Sequence, residues 1–338
     1  MVTALVSGAA GFIGSHIVDE LIARGINVIA VDNLSGGVKS NINDKAKFYE
    51  IDITKANDIN DIEAIFELNK INYIFHLAAY AAEGLSHFIR RYNYTNNVIG
   101  SVNLINMAIK YNVRCFVFTS SIAVYGGISI PLSEAVIPRP EDPYGIAKFA
   151  VEMDLRAAHD MFGLNYIIFR PHNVYGPRQS ITDRYRNVVG IFIRQLMLDQ
   201  PLTVFGDGTQ TRAFTFIDDI ASTIAGSVFY EEMYGETFNI GCDTKISINT
   251  LATIMMKLMN KESHHIEYLE KRLEAHNPSA IHQKITGYFG ILDTPIEVGL
   301  KETIDWVMNK PLVRAKIGKV KKFTNIEIYK NIPEVWTR

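Results

Sequence analysis

Cysteine is nearly absent: the 338 residues contain two, Cys115 and Cys242. That excludes a disulfide framework, so the fold rests on its core and not on covalent staples. An excess of either charge is also missing. Lys plus Arg total 34 against 36 for Asp plus Glu, a formal charge of −2, so no general field attracts nucleic acid and any anionic ligand needs a local site. No apolar run reaches the length of a membrane span. The short apolar start, residues 2–6, is interrupted by Gly8, Gly11 and Gly14 and follows no basic segment, unlike a secretory leader. His264, His265, His276 and His282 stand in polar sequence without cysteines or paired carboxylates at ligand spacing, which argues against a metal. These absences predict a soluble, cytoplasmic protein with neither nucleic acid nor membrane as its partner.

What is present is a chain with 48% hydrophobic residues, enough to bury a substantial core in one large or two intimate domains. The first half alternates short apolar runs with longer segments of helical period. Strands are expected at residues 4–6, 27–31, 47–51, 73–77, 115–119 and 166–169, and helices at 12–24, with Gly25 as a stop, and at 93–111. This is the pattern of an α/β protein with a Rossmann-type doubly wound parallel sheet. After Arg170 the rhythm loosens into a region punctuated by Pro and Gly, broken by a helical segment at about 187–200. The basic tail from 310 to 338 reads either as a solvated extension or as a docking surface.

Gly8-Ala9-Ala10-Gly11-Phe12-Ile13-Gly14 follows the first strand and opens the first helix. Glycines there let backbone amides approach a pyrophosphate at the positive helix end. Asp32 ends the second strand, where a carboxylate can bond both ribose hydroxyls of an adenosine; a 2′-phosphate would meet its charge, and no Arg follows it in Asp32-Asn33-Leu34-Ser35. The cofactor expected is therefore NAD. Asp52 with Ile53, after the third strand, suits either the adenine edge or a helix cap. The boundaries that follow are an NAD-binding domain at 1–171 with a returning segment at about 213–241, and a smaller C-terminal substrate domain made of 172–212 and 242–338.

Tyr144 and Lys148 lie four residues apart, on one face of a helix that Pro143 starts. Alone the spacing fits any amphipathic helix with a snorkelling lysine. Upstream, Thr119-Ser120-Ser121 closes the fifth strand, and the carboxyl ends of strands in an open parallel sheet are where ligands bind. A neighbouring ammonium favours the phenolate, which suits Tyr144 to act as a base.

Together these features closely resemble the extended short-chain dehydrogenase/reductase family, in its group of sugar-nucleotide epimerases and dehydratases with UDP-glucose 4-epimerase as prototype. The resemblance covers residues 3–306. It rests on the glycine turn, His76-Leu77-Ala78-Ala79, Asn97-Val98 with Gly100, Ser120-Ser121 with Val124-Tyr125-Gly126, the Tyr144/Lys148 pair, and Arg170-Pro171-His172-Asn173-Val174-Tyr175-Gly176-Pro177. It implies that Gly8, Gly11, Phe12, Ile13, Gly14, Asp32, Asn33, Asp52, Ile53, Leu77, Ala78, Ala79, Asn97, Tyr144 and Lys148 surround NAD. Lys148 would grip the nicotinamide ribose, Ser121 would bond the sugar oxygen and relay its proton, and Tyr144 would take the 4-hydroxyl proton to give a 4-keto sugar. Asn173 and Arg212 match the family's contacts to a sugar nucleotide, the arginine clamping the diphosphate; Arg272 is carried over although the glycine usual after it is missing. His172 is either a ligand contact or a packed histidine.

In 4,6-dehydratases of this group an acidic pair follows the strand-end hydroxyl. Here those positions hold Ile122 and Ala123, and neither side chain carries a proton. The function expected is 4-epimerisation of a UDP-hexose or UDP-N-acetylhexosamine. A dehydratase of unusual type and a non-catalytic NAD-binding redox sensor are the alternatives. Family members commonly dimerise through a four-helix bundle, which implies a homodimer built on residues 93–111 and 144–162.

Overall fold

A computed structural model of the chain describes residues 2–128, 131–183, 185, 187–270, 280–290, 293–318 and 326–333. The six expected strands form as β1 (Thr3–Ser7), β2 (Asn27–Asp32), β3 (Lys47–Glu50), β4 (Tyr73–His76), β5 (Cys115–Thr119) and β6 (Tyr166–Pro171). Short strands follow: β7 (Val174–Tyr175), β8 (Leu202–Phe205), β9 (Thr211–Ala213), β10 (Thr215–Phe216), β11 (Glu236–Ile240), β12 (Lys245–Ser247) and β13 (Ile266–Leu269). The central sheet has seven strands in the order β11-β6-β5-β4-β1-β2-β3, and all its pairs are parallel. Strands β1, β4, β5 and β6 are buried along their whole length. That is why they read as continuous apolar runs and not as alternating ones. The order reverses between β1 and β4, the crevice where doubly wound sheets bind ligands.

The early helices are α1 (Phe12–Ala23), α2 (Ala56–Leu68), α3 (Glu83–Ser86) and α4 (Arg90–Tyr94), and a π-helical turn (Thr95–Ile99) joins α4 to α5 (Gly100–Lys110). One regular helix was expected over 93–111. The wide turn lies where Asn96 Nδ2 takes the Tyr92 carbonyl at 2.8 Å and Asn97 Nδ2 bonds Asn93 Oδ1 at 2.8 Å, short amides that compete with the backbone ladder.

Helix α6 (Pro143–Phe162) begins with Pro143 at its first position. Asp142 Oδ1 caps it, accepting from the amides of Tyr144 and Gly145, each at 2.9 Å, and Gly163 closes it in the left-handed conformation at φ 71°. The proline was legible as a start, but the capping aspartate beside it was not singled out.

Strand β11 was not anticipated either. It pairs with β6 from Glu236↔Ile167 to Ile240↔Pro171 and forms the edge of the sheet beyond β6. Its Asn239 belongs to a buried polar cluster. Glu152, 0% exposed, accepts from Arg170 Nε at 2.9 Å and Nη2 at 2.5 Å, and from Ser120 Oγ at 2.6 Å. Arg170 Nη1 donates to Tyr125 Oη at 2.6 Å, which donates to Asn239 Oδ1 at 2.8 Å. One ion pair thus ties α6, β6, the end of β5 and β11. A fully buried pair adds little over an apolar substitute, but losing one partner strands the other charge. Arg170→Met should lower the unfolding free energy by about 3 kcal/mol, measured by urea denaturation; a loss no larger than that of a surface Arg→Met control refutes the role.

Candidate active site

The turn between β1 and α1 is built so that only glycine fits. Gly8 has φ 73°, and a Cβ on Gly14 would stand 2.1 Å from Gly8 O. The turn packs on the next loop as well, since a Cβ on Gly8 would come within 2.7 Å of Ala78 N. Helix α1 starts with no side-chain cap and no acidic residue in its first turn, which leaves the amides around Phe12 and Ile13 and the positive end of the helix to an anion. At the end of β2, Asp32 Oδ2 accepts from Ala10 N at 3.0 Å and Oδ1 from Leu34 N at 2.7 Å. Burial pushes its carboxyl above the usual range, against hydrogen bonds from Leu34, Ala10 and Gly11. With three backbone donors on about four lone-pair sites, the carboxylate keeps acceptor capacity for a ribose hydroxyl.

Asp52 organises the turn before α2, accepting from Thr54 N at 3.0 Å and Thr54 Oγ1 at 2.7 Å. Burial raises its pKa, but hydrogen bonds from Thr54 and Asn33 and the nearby Lys55 charge outweigh it and hold the carboxyl below its ordinary value. Asn33, the next residue after Asp32, is thereby linked to Asp52, while Ile53 is buried.

The loop of Leu77, Ala78 and Ala79 is fixed from beneath. Ala78 N reaches Ser7 Oγ at 3.5 Å, Ser7 Oγ meets His76 Nδ1 at 2.6 Å, His76 Nε2 meets Ser101 Oγ at 2.7 Å, and Ser101 donates to Asn97 O at 2.9 Å. Because the Ser101 proton is spent on Asn97, Ser101 accepts from His76 Nε2–H, and Ser7 donates to Nδ1. Burial, aided by the Lys148 charge, takes His76 down to about 3, in keeping with a neutral ring. Asn97 itself accepts from Tyr80 N at 2.8 Å and donates to Tyr80 O at 3.1 Å. Its side chain therefore holds the wall of the crevice.

Lys148 is buried at 3% exposure, one turn after Tyr144. Its Nζ donates to Thr119 O at 2.8 Å and lies 4.7 Å from the centre of the Phe118 ring and 5.9 Å from that of Tyr144. Beside it, Thr119 Oγ1 is buried without a partner among the described residues, a polar atom that a ligand would satisfy. Helical amides, a carboxylate at the ribose position and this group at the strand end fit a dinucleotide, and the Asp32 charge fits one without a 2′-phosphate.

Of the residues expected to meet a substrate, Ser121, Asn173 and Arg212 line one groove with two lobes, whereas Tyr144 is not among its lining residues. Ser121, Ile122, Ala123, Glu83, Asp142 and Asn173 line the first lobe. Arg212, Lys245 and Thr211 line the second, and Ile122, His172 and Asn173 border both. Ser121 Oγ accepts from Ala123 N at 3.1 Å, which leaves its hydroxyl hydrogen to donate into the groove. Asn173, at φ 41°, is pinned by Nδ2 to Ala213 O at 3.0 Å. Arg212 sits on β9, paired antiparallel with β12, and its Nη1 donates to Thr211 O at 3.0 Å. Lys245, a second cation beside Arg212, carried no signal in the sequence because strands β9 and β12 are far apart in the chain. His172 is buried, with Nε2 at 3.0 Å from His282 Nε2, and His282 Nδ1 lies 2.6 Å from Asp243 Oδ1. Burial and the neighbouring His282 push His172 down to about 3, so it is a neutral, packed histidine on the groove wall. Arg272 lies outside the described residues. Among the described residues, no cluster of three or more metal-ligating side chains forms, and no helix is long and apolar enough to cross a membrane.

The profile of the NAD dependent epimerase/dehydratase family matches residues 4–241. The chain belongs to that family. It is 32% identical to a putative UDP-glucose 4-epimerase of Methanocaldococcus jannaschii over 90% of this chain and 98% of that relative. Its structure is similar to that of a UDP-glucose 4-epimerase of Thermotoga maritima with UDP-glucose, at TM-score 0.83 and 36% identity, covering 91% of this chain and 99% of the other. A UDP-glucose 4-epimerase of Thermus thermophilus in complex with NAD superimposes at TM-score 0.82 with 26% identity, over 91% of this chain and 99% of that one. As a family member, the enzyme is an NAD-dependent sugar-nucleotide epimerase of the short-chain dehydrogenase/reductase type.

The buried ammonium sets a pH test on the cofactor-free enzyme. Burial takes Lys148 down to about 7, against the pull of Glu152, whereas an unfolded lysine titrates near about 10.4. Between these values the unfolded chain holds a proton that the folded chain has released, so rising pH favours folding. Lys148→Met should therefore stabilise the protein relative to wild type more at about pH 6 than at about pH 9, measured by urea unfolding; a pH-independent difference contradicts the shifted titration.

Proposed function

We propose that this epimerase inverts C4 of a UDP-hexose or UDP-N-acetylhexosamine, with the sugar in the Ser121 lobe and the diphosphate in the Arg212 lobe. The observation that carries the choice of epimerisation is that Ile122 and Ala123 line the sugar lobe beside Ser121. A 4,6-elimination needs a proton donor and acceptor there, and two aliphatic side chains supply neither. The planar fork of Arg212, with Lys245 beside it, suits a diphosphate.

In this reading NAD, held by the glycine turn, Asp32, the Leu77–Ala79 loop and Lys148, supplies reversible hydride storage when bound. The chain's own residues manage the proton. Tyr144 takes it from the 4-hydroxyl and returns it after the sugar has turned, so one phenol serves both directions. Ser121 donates to the same oxygen and keeps it in line with Tyr144. Lys148 supplies positive charge behind the phenol from its anchor on Thr119 O. Asn173, between the lobes, holds the substrate at the junction of sugar and phosphate, and Arg272 is a further candidate for the phosphates.

We place the domain division at 171/172, with 213–241 returning to the NAD-binding part. The same reading carries a cytoplasmic homodimer: Ile146 and Met153 on α6, at 39% and 49% exposure, and Ile99 at the end of the π-helical turn, at 49%, are exposed apolar side chains on the two segments expected to pair.

Purified enzyme incubated with UDP-glucose or UDP-N-acetylglucosamine should yield the 4-epimer by proton NMR, with no net NAD reduction; stoichiometric loss of water to a 4-keto-6-deoxy sugar overturns the assignment. Tyr144→Phe should lower kcat by at least about a hundredfold while NAD stays bound, and near-normal turnover in that variant would remove Tyr144 from its role.

A further inference from the structure

Residues 326–328, from the basic tail, lie against the start of α4. Glu327 Oε2 accepts from Arg91 N at 2.9 Å and Oε1 from Tyr92 N at 3.0 Å, while the amides of Glu327 and Ile328 donate to Phe88 O at 2.8 and 3.2 Å. Ile326 packs with Tyr80, Phe88 and Tyr92 on the buried side chains of Ala82, Leu85 and Ile89. First-turn amides of a helix have no partner within it, and α4 has neither an acidic residue in its first turn nor a cap of its own. A carboxylate from the far end of the chain fills both needs, as a charge-assisted acceptor at the positive helix end.

The segment held in this way is a wall of the active site. Asn93, on α4, donates to Pro143 O at 2.8 Å, next to Tyr144. Asn97, one turn further, clamps Tyr80 by both amide groups. Ser86 Oγ reaches Asp142 Oδ1, the cap of the catalytic helix, at 3.4 Å, and Glu83 lines the sugar lobe.

We propose that Glu327 is a positioning residue: by capping α4 from outside, with Ile326 seated below it, it fixes the 80–97 wall against the start of α6 and so shapes the sugar lobe. The consequence for catalysis rests on the assignment of that lobe to a nucleotide sugar; the mechanical claim does not.

The test uses the full chain as wild type, Glu327→Ala and Glu327→Gln, which keeps one acceptor oxygen. Amide hydrogen exchange should speed in Glu327→Ala at Arg91 and Tyr92, and also at Tyr80, Tyr144 and Gly145, by about fivefold or more, with Glu327→Gln recovering most of the protection. KM for UDP-glucose should rise by about fivefold with kcat within about twofold. Faster exchange confined to Arg91 and Tyr92, with KM unchanged, reduces Glu327 to a local cap and overturns the proposal, as does unchanged exchange throughout. Absence of turnover in wild type would count against the substrate assignment alone, because exchange at Tyr80, Tyr144 and Gly145 still decides whether the tail sets the wall.

Discussion

The ion pair between Glu152 and Arg170 is the constraint on which the carboxyl end of the central sheet depends. Two opposite charges with 0% and 1% exposure have no water to return to, so each leans on the other, with Arg156 Nη2 at 3.6 Å from Glu152 as a more distant second partner. Their positions are not interchangeable: Glu152 lies one turn beyond Lys148 on α6, and Arg170 is the penultimate residue of β6, whose continuation carries His172 and Asn173. The pair therefore fixes the helix bearing Tyr144 and Lys148 relative to the strand end bearing His172 and Asn173. Ser120, bonded to the same carboxylate, brings the end of β5 and with it Ser121 into the same frame.

That frame places unlike electrostatic environments close together. Near the cofactor crevice a lysine is buried deeply enough to fall towards neutrality, and its charge helps to keep His76 unprotonated. Along the groove a cationic lobe with Arg212 and Lys245 adjoins a lobe with the carboxylates of Glu83 and Asp142. A ligand with a doubly charged middle and a neutral polyol end matches this gradient, and Asp142 adds to it while spending one oxygen on the amides of Tyr144 and Gly145.

Much of this was legible in the sequence because it is local. The glycine turn, Asp32 and the Tyr144/Lys148 spacing are patterns within a few residues of strand or helix ends, and the first six strands are apolar runs bounded by turns. Strand β11 escaped because nothing in Glu236-Thr237-Phe238-Asn239-Ile240 announces that its partner is β6; edge pairing is a matter of topology and not of propensity. The Glu152–Arg170 pair escaped for the same reason, as did Lys245 beside Arg212. The π-helical turn was hidden because a helix with one wide turn keeps the apolar spacing of a regular one over most of its length. The basic tail was read by charge, whereas its contact with α4 is made by a glutamate and an isoleucine.

The hydrogen-bond run from Ala78 through Ser7, His76 and Ser101 to Asn97 closes on itself, because Asn97 grips Tyr80, two residues beyond Ala78. From Ala78 N to Asn97 O every donor points the same way, so that stretch has a polarity, while the Asn97–Tyr80 link carries one bond in each direction. A second proton on His76 would set N–H against the Ser7 hydroxyl and break the run of donors at one link. The Leu77–Ala79 loop is thus held by a latch with one permitted orientation, indifferent to acidity over the range in which Lys148 changes charge, so that the floor of the crevice stays still while the ammonium beside it titrates.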